Sequence, residues 1–210
     1  LGTRAAVSFT TADPEILTFM QLPGKHRFVS MHTQGEGGTG LAETYRVSMN
    51  YSDAQQYPTM WDILGLLGLA GCLSHAKFIP KQYKFASAED RLELLRGLFD
   101  TDGSAAGSSC VEYSTVSQQL AEDVTWLVYS LGGTCTLSER QTRYTMKDGS
   151  KSKEFHSYRM YVKLPQSMNP FRLTRRQFDP SVKRQRVPAR AVEKIKQIGS
   201  ALATCITVNS

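Results

Sequence analysis

Cysteine is scarce in this sequence, and its few copies are scattered. Cys72, Cys110, Cys135 and Cys205 form no C-x-x-C pair and no cluster of Cys and His residues. A structural zinc site needs four such ligands at close spacing. The spacing therefore argues against zinc and favours the free thiols of an intracellular protein.

Long hydrophobic runs are also missing. The longest apolar stretch, residues 63–72, contains three glycines and is far shorter than the roughly 20 residues that span a bilayer. We expect no signal peptide, since its pattern does not occur in this sequence, and the chain opens without Met, as though cut from a longer protein. With 210 residues, 40% of them hydrophobic, we expect a cytoplasmic protein of one large or two small domains and no membrane partner.

Acidic residues are few in the last third of the chain. Residues 1–139 contain 9 Lys/Arg and 15 Asp/Glu, whereas residues 140–210 contain 16 Lys/Arg and 4 Asp/Glu. An ordinary solvated surface is one interpretation of this basic run. A face that binds a polyanion is the other, and double-stranded DNA is then the predicted partner.

Two acids lie at the end of a predicted helix, within residues 95–103. Ser87 is a predicted N-cap, and apolar residues recur after it at helical spacing. The helix dipole is negative at its C-terminal end, so Asp100 and Asp102 cost stability unless a cation lies nearby. Gly97 in the helix interior costs about 1 kcal/mol against Ala. We therefore expect this helix to pack closely against another helix and to present a carboxylate to a metal ion.

Two simpler interpretations of this segment exist. One is a helix that ends in an ordinary Asp-Gly turn with Gly103 as its C′ residue. A calcium loop starting at Asp100 is excluded, because its sixth position is Ala105 instead of Gly and its twelfth is Val111 instead of Glu.

One pattern of elements occurs twice, about 100 residues apart. In each copy a short strand leads through a Ser or Thr cap into a helix. A glycine-containing turn and two further strands follow, joined by a loop rich in Gly, Ser or Lys. These paired strands are predicted at residues 26–33 and 44–50 and at residues 134–146 and 156–164.

Residues 95–103 resemble the LAGLIDADG motif of homing endonucleases. The resemblance implies a site-specific DNA endonuclease that hydrolyses phosphodiesters of a long duplex target. It also implies an α+β fold of two pseudo-symmetric αββαββ halves, in which saddle-shaped antiparallel sheets lie in the major groove and the motif helices pack at the pseudo-dyad. The motif residues kept here are Leu95, Gly97, Leu98, Asp100, Asp102 and Gly103.

The resemblance assigns the chemistry to particular residues. Asp102 matches the motif position of the catalytic, metal-binding acid, and Mg²⁺ is the expected cofactor. Asp100 is expected to support the helix end. Residues 76–80 and 88–98 are similar to the block that precedes the second motif in inteins carrying an endonuclease. Lys77 matches its basic residue, which would stabilise charge on the phosphate or polarise the attacking water.

Basic residues of the predicted strands, and of residues 169–176, are expected to read bases or hold phosphates. In the second half, residues 169–176 match the family's equivalent basic position, where this chain offers arginine, which stabilises charge but does not carry protons at neutral pH. The predicted DNA-binding residues are Arg27, Arg46, Arg140, Arg143, Arg159, Lys163, Arg172, Arg175 and Arg176.

This sequence contains one such motif, and the first half starts where residues after a first motif would lie. Cutting both strands needs a metal-bound carboxylate for each scissile phosphate. Three possibilities stay open. Another polypeptide supplies the missing helix, the chain dimerises through its own motif helix, or the chain is a catalytically incomplete DNA-binding or structural insert.

The end of the chain resembles the strands in which the splicing domain of an intein resumes. This implies a role in intein homing. Splicing by this chain alone is not predicted, because its terminal Cys or Ser nucleophile, TxxH element and His-Asn are absent from the sequence. The predicted domains are a first endonuclease half without its motif helix (1–86), a second half (87–182) with motif helix 88–103, and a linker with a partial splicing-domain hairpin (183–210).

Overall fold

The computed structural model describes residues 7–31, 42–107, 109–143, 145–146, 149–178, 191–197, 199–200 and 202. Within these residues the chain forms helices and two antiparallel sheets, so the predicted α+β class is confirmed. The strands are β1 (Ser8–Thr11), β2 (Arg27–Met31), β3 (Glu43–Ser48), β4 (Gly103–Ala105), β5 (Val111–Thr115), β6 (Thr134–Thr142) and β7 (Phe155–Lys163). The helices are α1 (Glu15–Phe19), α2 (Tyr51–Ala54), α3 (Met60–Leu66), α4 (Lys81–Lys84), α5 (Ala88–Asp102) and α6 (Gln118–Ser130), with 3₁₀ turns at Ser74–Ala76 and Thr174–Arg176.

The duplication seen in the sequence recurs in the sheets, because three strands of each sheet have the same topology. The first has the order β1-β3-β2 and the second the order β4-β5-β7-β6, with every neighbouring pair antiparallel. In each copy a strand, a helix and two strands follow in sequence, and the last strand lies between the other two. The second half, from α5 to β7, has the full predicted order αββαββ, whereas the described part of the first half provides βαββ.

Helix α5 forms as its sequence dictates. The Ser87 hydroxyl accepts a hydrogen bond from the amide of Asp90 at 3.1 Å, which satisfies one of the free donors of the first turn. Leu95 and Phe99, four residues apart, are buried on one face. The helix ends at Asp102, one residue before the predicted end, because Gly103 already pairs as the first residue of β4.

The close packing predicted for Gly97 is wrong within the described residues. Gly97 is exposed, and a Cβ added there would have no atom within 4 Å. No neighbouring helix in the described part of the chain therefore uses the missing side chain. Gly103 is the glycine of this helix that a close contact requires, since a Cβ would lie 2.7 Å from the carbonyl oxygen of Phe99.

The hydrophobic core lies in the second half. Among the described residues before Ile79, Ile16 is the one buried hydrophobic residue. The core is built between α5, α6 and the inner face of the second sheet, and residues 171–178 close one end. Its fully buried large side chains include Leu95, Phe99, Val111, Tyr113, Val124, Leu127, Val128, Met160, Val162 and Phe171.

Several predicted boundaries are corrected by the structure. Strand β6 ends at Thr142, not Met146, because pairing with β7 stops at the Thr142–Phe155 pair. Of the first-half hairpin tip predicted at residues 34–42, all but Ala42 lie outside the described residues, as does the splicing-domain strand predicted at 203–208. The other predicted splicing-domain strand, at 192–199, is wrong over its described residues, which form no strand. The domain limits at 86 and 182 stay predictions.

The described cysteines form no disulfide bonds with one another. Cys72, Cys110 and Cys135 are free, as expected, while Cys205 lies outside the described residues. Among the helices described, none is both long and apolar enough to cross a bilayer.

Candidate active site at the end of helix α5

Helix α5 directs its two terminal acids to opposite environments. Residues two apart on an α-helix point roughly 200° apart. Asp100 therefore turns into the protein, where it is 6% exposed, while Asp102 is exposed. The same local geometry gives one carboxylate a structural position and the other a position open to a ligand.

Asp100 holds the segment that follows β7. Its carboxylate accepts hydrogen bonds from the backbone amides of Arg172 at 3.0 Å and Leu173 at 3.3 Å. Burial raises the pKa of Asp100, and these two amide donors oppose that rise. The contacts place Asp100 at the helix end as a support, which is the function expected from the sequence.

Arg176 provides the cation that the end of α5 was predicted to need. Its Nη1 donates to the carbonyl oxygen of Phe99 at 3.0 Å and also to the carbonyl oxygen of Gly103. The Phe99 carbonyl belongs to the last turn of α5, at the negative end of the helix dipole, and also accepts from the amide of Gly103, whose own carbonyl directly follows the helix. Arg176 therefore stabilises the part of the chain that presents Asp102.

Asp102 and Lys77 line the same two clefts. One cleft has a volume of about 550 Å³ and also contains Asp13 and Arg175 in its wall. The other has a volume of about 360 Å³ and is bounded by Tyr113 and the adjoining strand residues. The structure thus brings together the carboxylate and the ammonium group that the sequence selected from separate segments. Both side chains are exposed.

The described residues fit a lightly held Mg²⁺ ion. Among them, no group of three or more His, Cys, Asp or Glu side chains is arranged to enclose a metal. Mg²⁺ does not need such an enclosure, since it commonly takes one or two carboxylates together with waters and substrate phosphates. Asp102 offers one exposed carboxylate at a cleft, which is the part of such a site that a protein supplies.

Tyr113 is a residue of this site that the sequence did not single out. It is 2% exposed, stacks edge-on against Phe99 with ring centroids 5.7 Å apart, and lies in the wall of the smaller cleft. Burial and then the charge of Asp102 raise the pKa of Tyr113, so its hydroxyl stays protonated at neutral pH. A buried tyrosine in a strand is ordinarily a core residue, and no local signal distinguishes this one.

The predicted strand residues share one face of each sheet. In the second sheet, Arg140 pairs with Ser157, Arg159 with Ser138 and Lys163 with Thr134. Because side chains alternate along a strand, all three basic residues lie opposite the face that buries Met160 and Val162.

The first sheet has the same arrangement. Arg27 pairs with Ser48 and Val29 pairs with Arg46, so Arg27 and Arg46 lie on one face. Ser8, Thr10 and both arginines are exposed there. Each sheet therefore offers a polar, basic face, although their binding to DNA stays a prediction.

The other predicted basic residues already have partners within the chain. Arg143 pairs with Glu154 at 2.6 Å beyond the end of β6, and Arg159 pairs with Glu112 at 3.1 Å across the sheet. Arg172 pairs with Glu93. Arg175 and Arg176 lie in the 3₁₀ turn Thr174–Arg176 and line the larger cleft together with residues 9–11 of β1. Whether they also contact DNA is a prediction that these contacts leave open.

Arg175 joins the two halves. Its Nε and Nη2 donate to the two carboxylate oxygens of Asp13 at 2.7 and 2.6 Å, a bidentate pair. The neighbouring Thr174 hydroxyl donates to Glu15 at 2.6 Å. The segment organised by Asp100 therefore ties β1 and α1 to the end of α5, and it forms one wall of the larger cleft.

Comparison with known proteins agrees with this description of the second half. Residues 89–163 match the model of the LAGLIDADG-like domain. The chain is 31% identical over 142 residues to a replicative DNA helicase, DnaB, of Mycobacterium intracellulare, a match that takes 68% of this chain and 19% of that relative. The chain thus spans about a fifth of the length of that curated relative.

Two solved structures are similar to the chain at low identity. Mesophilic variants of the homing endonuclease I-DmoI are 14% identical, with a TM-score of 0.43 over 76% of this chain and 73% of that one. I-DmoI in complex with DNA and Mn is 12% identical, with a TM-score of 0.39 over 75% and 73% of the two chains. The residues that match the LAGLIDADG-like domain extend from α5 to the end of β7, so this likeness covers the second half of the chain.

Proposed function

We propose that the chain is the endonuclease region of an intein and hydrolyses phosphodiesters of a long, asymmetric DNA duplex with Mg²⁺. The observation that carries this proposal is the position of Asp102 and Lys77 in the same two clefts, at the end of the helix of a LAGLIDADG-like domain. A carboxylate and an ammonium group together suit a reaction that needs a metal ion and a second positive charge beside a phosphate.

The two residues have different roles. Asp102 would hold Mg²⁺, which supplies an activated water and neutralises negative charge when it is bound. The ammonium group of Lys77 stabilises the charge that develops on the phosphate oxygens. The guanidinium of Arg176 holds the backbone on either side of Asp102 through the carbonyl oxygens of Phe99 and Gly103.

The basic strand faces hold the duplex. Arg27 and Arg46 of the first sheet, and Arg140, Arg159 and Lys163 of the second, contact phosphates or base edges. Strand side chains spaced two residues apart can follow the major groove, where each base pair presents a distinct pattern of donors and acceptors. Such contacts give binding that weakens steeply with salt.

Intein homing accounts for the likeness to the helicase. The match occupies 19% of that relative, a share that an insertion within a host protein would have. The sequence contains no G-x-x-x-x-G-K-[ST] loop, the element with which P-loop proteins hold nucleotide phosphates. Helicase activity is therefore not proposed for these residues.

A second motif helix completes the site. The exposed face of α5 around Gly97 borders a shallow apolar groove formed with Phe19 and Met20. A helix with a small residue at the contact could approach α5 closely there. We propose that another polypeptide segment or a second copy of this chain supplies that helix.

DNA binding without cleavage is the alternative function. It is favoured by the single LAGLIDADG-like motif of this sequence, which provides one motif acid, Asp102, at the clefts, since two phosphates must be hydrolysed to cut a duplex. In that case the strand faces bind DNA and the chain serves as an incomplete insert.

Cleavage of selected DNA tests the proposal. Duplexes that bind the chain are first isolated from a pool with randomised base pairs and then incubated with it in Mg²⁺ or in a chelator. We expect both strands to be cut in Mg²⁺, no cutting in the chelator, recovery when Mg²⁺ is restored, and binding throughout. Selected duplexes that bind but are never cut would favour the alternative, and failure to select any duplex would exclude both functions.

A further inference from the structure

Helix α6 holds the backbone around Lys77 at two points. The Ser117 hydroxyl donates to the carbonyl oxygen of Lys77 at 2.6 Å, and the Asp123 carboxylate accepts from the amide of Ile79 at 2.8 Å. Ser117 is the N-cap of α6 and Asp123 lies six residues further on, a rise of roughly 9 Å along the helix. The segment that carries Lys77 therefore runs beside α6.

The Ser117 hydroxyl and the Asp123 carboxylate are both buried, and each makes further hydrogen bonds. Ser117 is 0% exposed and also accepts from the amide of Leu120 at 3.1 Å. Asp123 is 3% exposed, and its other oxygen accepts from Lys84 at 2.6 Å and from Gln119 at 3.1 Å. A buried carboxylate with this many donors has one stable orientation, because losing any partner leaves a charge without compensation.

Lys77 needs such external support. It follows a 3₁₀ turn and belongs to no helix or strand, so no regular hydrogen-bond ladder fixes its backbone. Its side chain is exposed in the clefts. A misplacement of about 1 Å at a reacting centre can cost roughly 100-fold in rate, and the two contacts from α6 restrict that displacement.

We propose that Ser117 and Asp123 are positioning residues that set the ammonium group of Lys77 opposite Asp102. Helix α5 then places the carboxylate and α6 places the ammonium group, while packing of α5 on α6 in the core sets the separation of the two. This inference rests on the function proposed for Lys77.

A different account of the same contacts is that they only fold the segment. Ile79 is 4% exposed and belongs to the core, so loss of its anchor would also destabilise the protein. The two accounts differ in one respect. A positioning effect disappears when the Lys77 side chain is absent, whereas a folding effect does not.

A double-mutant cycle uses this difference. Ser117→Ala and Asp123→Asn are each made in the native chain and in a Lys77→Met chain, with Ser117→Thr as the variant that keeps the hydroxyl. Two quantities are measured on a selected duplex. One is the slope of the logarithm of the DNA-binding constant against the logarithm of the salt concentration, called the salt slope below. The other is the single-turnover cleavage rate at saturating protein. If the native chain does not cleave the duplex, the variants are compared with it by their salt slopes alone.

Lys77→Met is expected to reduce the magnitude of the salt slope by about one unit, because one phosphate contact is lost, and to slow cleavage. Ser117→Ala and Asp123→Asn are expected to reduce the slope in the same direction and to slow cleavage about 10-fold in the native chain. Neither should cause a further change in the Lys77→Met chain, and Ser117→Thr should restore most of the native value.

A matched control separates helix capping from positioning. Thr59 caps α3 in the same way, accepting from the amide of Asp62 at 3.3 Å, but it lines neither cleft that contains Lys77. Thr59→Ala should lower the unfolding temperature and leave the salt slope and cleavage rate unchanged.

Three results would overturn parts of the account. If Ser117→Ala and Asp123→Asn have equal effects with and without the Lys77 side chain, the contacts from α6 serve only to fold the segment. The role proposed for Lys77 itself would then be unaffected. Native behaviour of both variants would exclude positioning outright. No effect of Lys77→Met would remove Lys77 from the proposed function, and this inference with it, while binding by the strand faces would still be measurable.

Discussion

At the scale of the residue, neighbouring acids and glycines of one helix have opposite roles. Asp100 is buried under two backbone amides, whereas Asp102 faces the clefts. Gly103 lies where a Cβ would contact Phe99, whereas Gly97 faces open space. All four residues belong to one sequence motif. Only the three-dimensional contacts show that Asp102 is open to a ligand, that Asp100 supports the following segment, and that Gly103 avoids a clash.

The two glycines give a stability prediction of opposite sign. Gly103→Ala should lower the free energy of unfolding by about 1–3 kcal/mol, because its Cβ would overlap the backbone of Phe99. Gly97→Ala should raise it by up to about 1 kcal/mol, because alanine favours a helix interior. Denaturant titrations of both variants provide the check. Destabilisation by Gly97→Ala in the monomeric chain would show that the position is packed.

At the level of single residues, the sequence offered candidates where a motif was available. Asp102 and Lys77 were selected from two separate strings of residues, and they line common clefts. Tyr113, Ser117 and Asp123 were missed. Their environment depends on partners about 40 residues away in sequence for Ser117 and Asp123, and a Ser at a helix start or an Asp inside a helix has no distinguishing local pattern.

At the scale of the element, the 3₁₀ turn Thr174–Arg176 joins α5 to the first half. Asp100 holds the amides that precede it, Arg176 caps the carbonyls of α5, and Arg175 binds Asp13. The sequence predicted a basic DNA-binding segment here. What it could not indicate is that Asp13 lies within reach of Arg175 and that the carbonyl oxygens of Phe99 and Gly103 lie within reach of Arg176.

The ion pair between Asp13 and Arg175 gives a prediction about pH. The hydrogen bond from Arg175 holds the pKa of Asp13 below its usual value of 3.8. A carboxyl whose pKa is lower in the folded state contributes stability above its unfolded pKa, and this contribution is lost as the pH falls through the folded value. Asp13→Asn should therefore lower stability at neutral pH, with a difference that fades below pH 3.8.

Urea titrations of the native chain and of Asp13→Asn between neutral pH and about pH 2 measure this difference. Arg175→Gln should reproduce the profile, and the two changes together should cost little more than either one, because they remove the same pair. A difference that stays constant to the lowest pH would contradict the assignment. High salt should weaken the effect, because Arg175 is exposed.

At the scale of the whole molecule, the duplicated topology could be predicted and the distribution of the core could not. Each copy carries local signals for strand, cap, helix and turn, and these gave the order of elements. Burial depends on what packs against each sheet. Only in the second half do α5 and α6 cover a sheet within the described residues. Of the described residues 7–86, only Ile16 and Ile79 are buried hydrophobic residues, and Ile79 belongs to the core of the second half.

Hydrolysis of DNA by Asp102 is the central claim, and one measurement tests it most directly. Single-turnover cleavage of a selected duplex in Mg²⁺ is compared for the native chain, Asp102→Asn and Glu89→Gln, which removes one negative charge from the opposite end of the same helix. The account predicts that Asp102→Asn abolishes cleavage while binding persists, and that Glu89→Gln cuts at the native rate. Cleavage by Asp102→Asn at the native rate would contradict it.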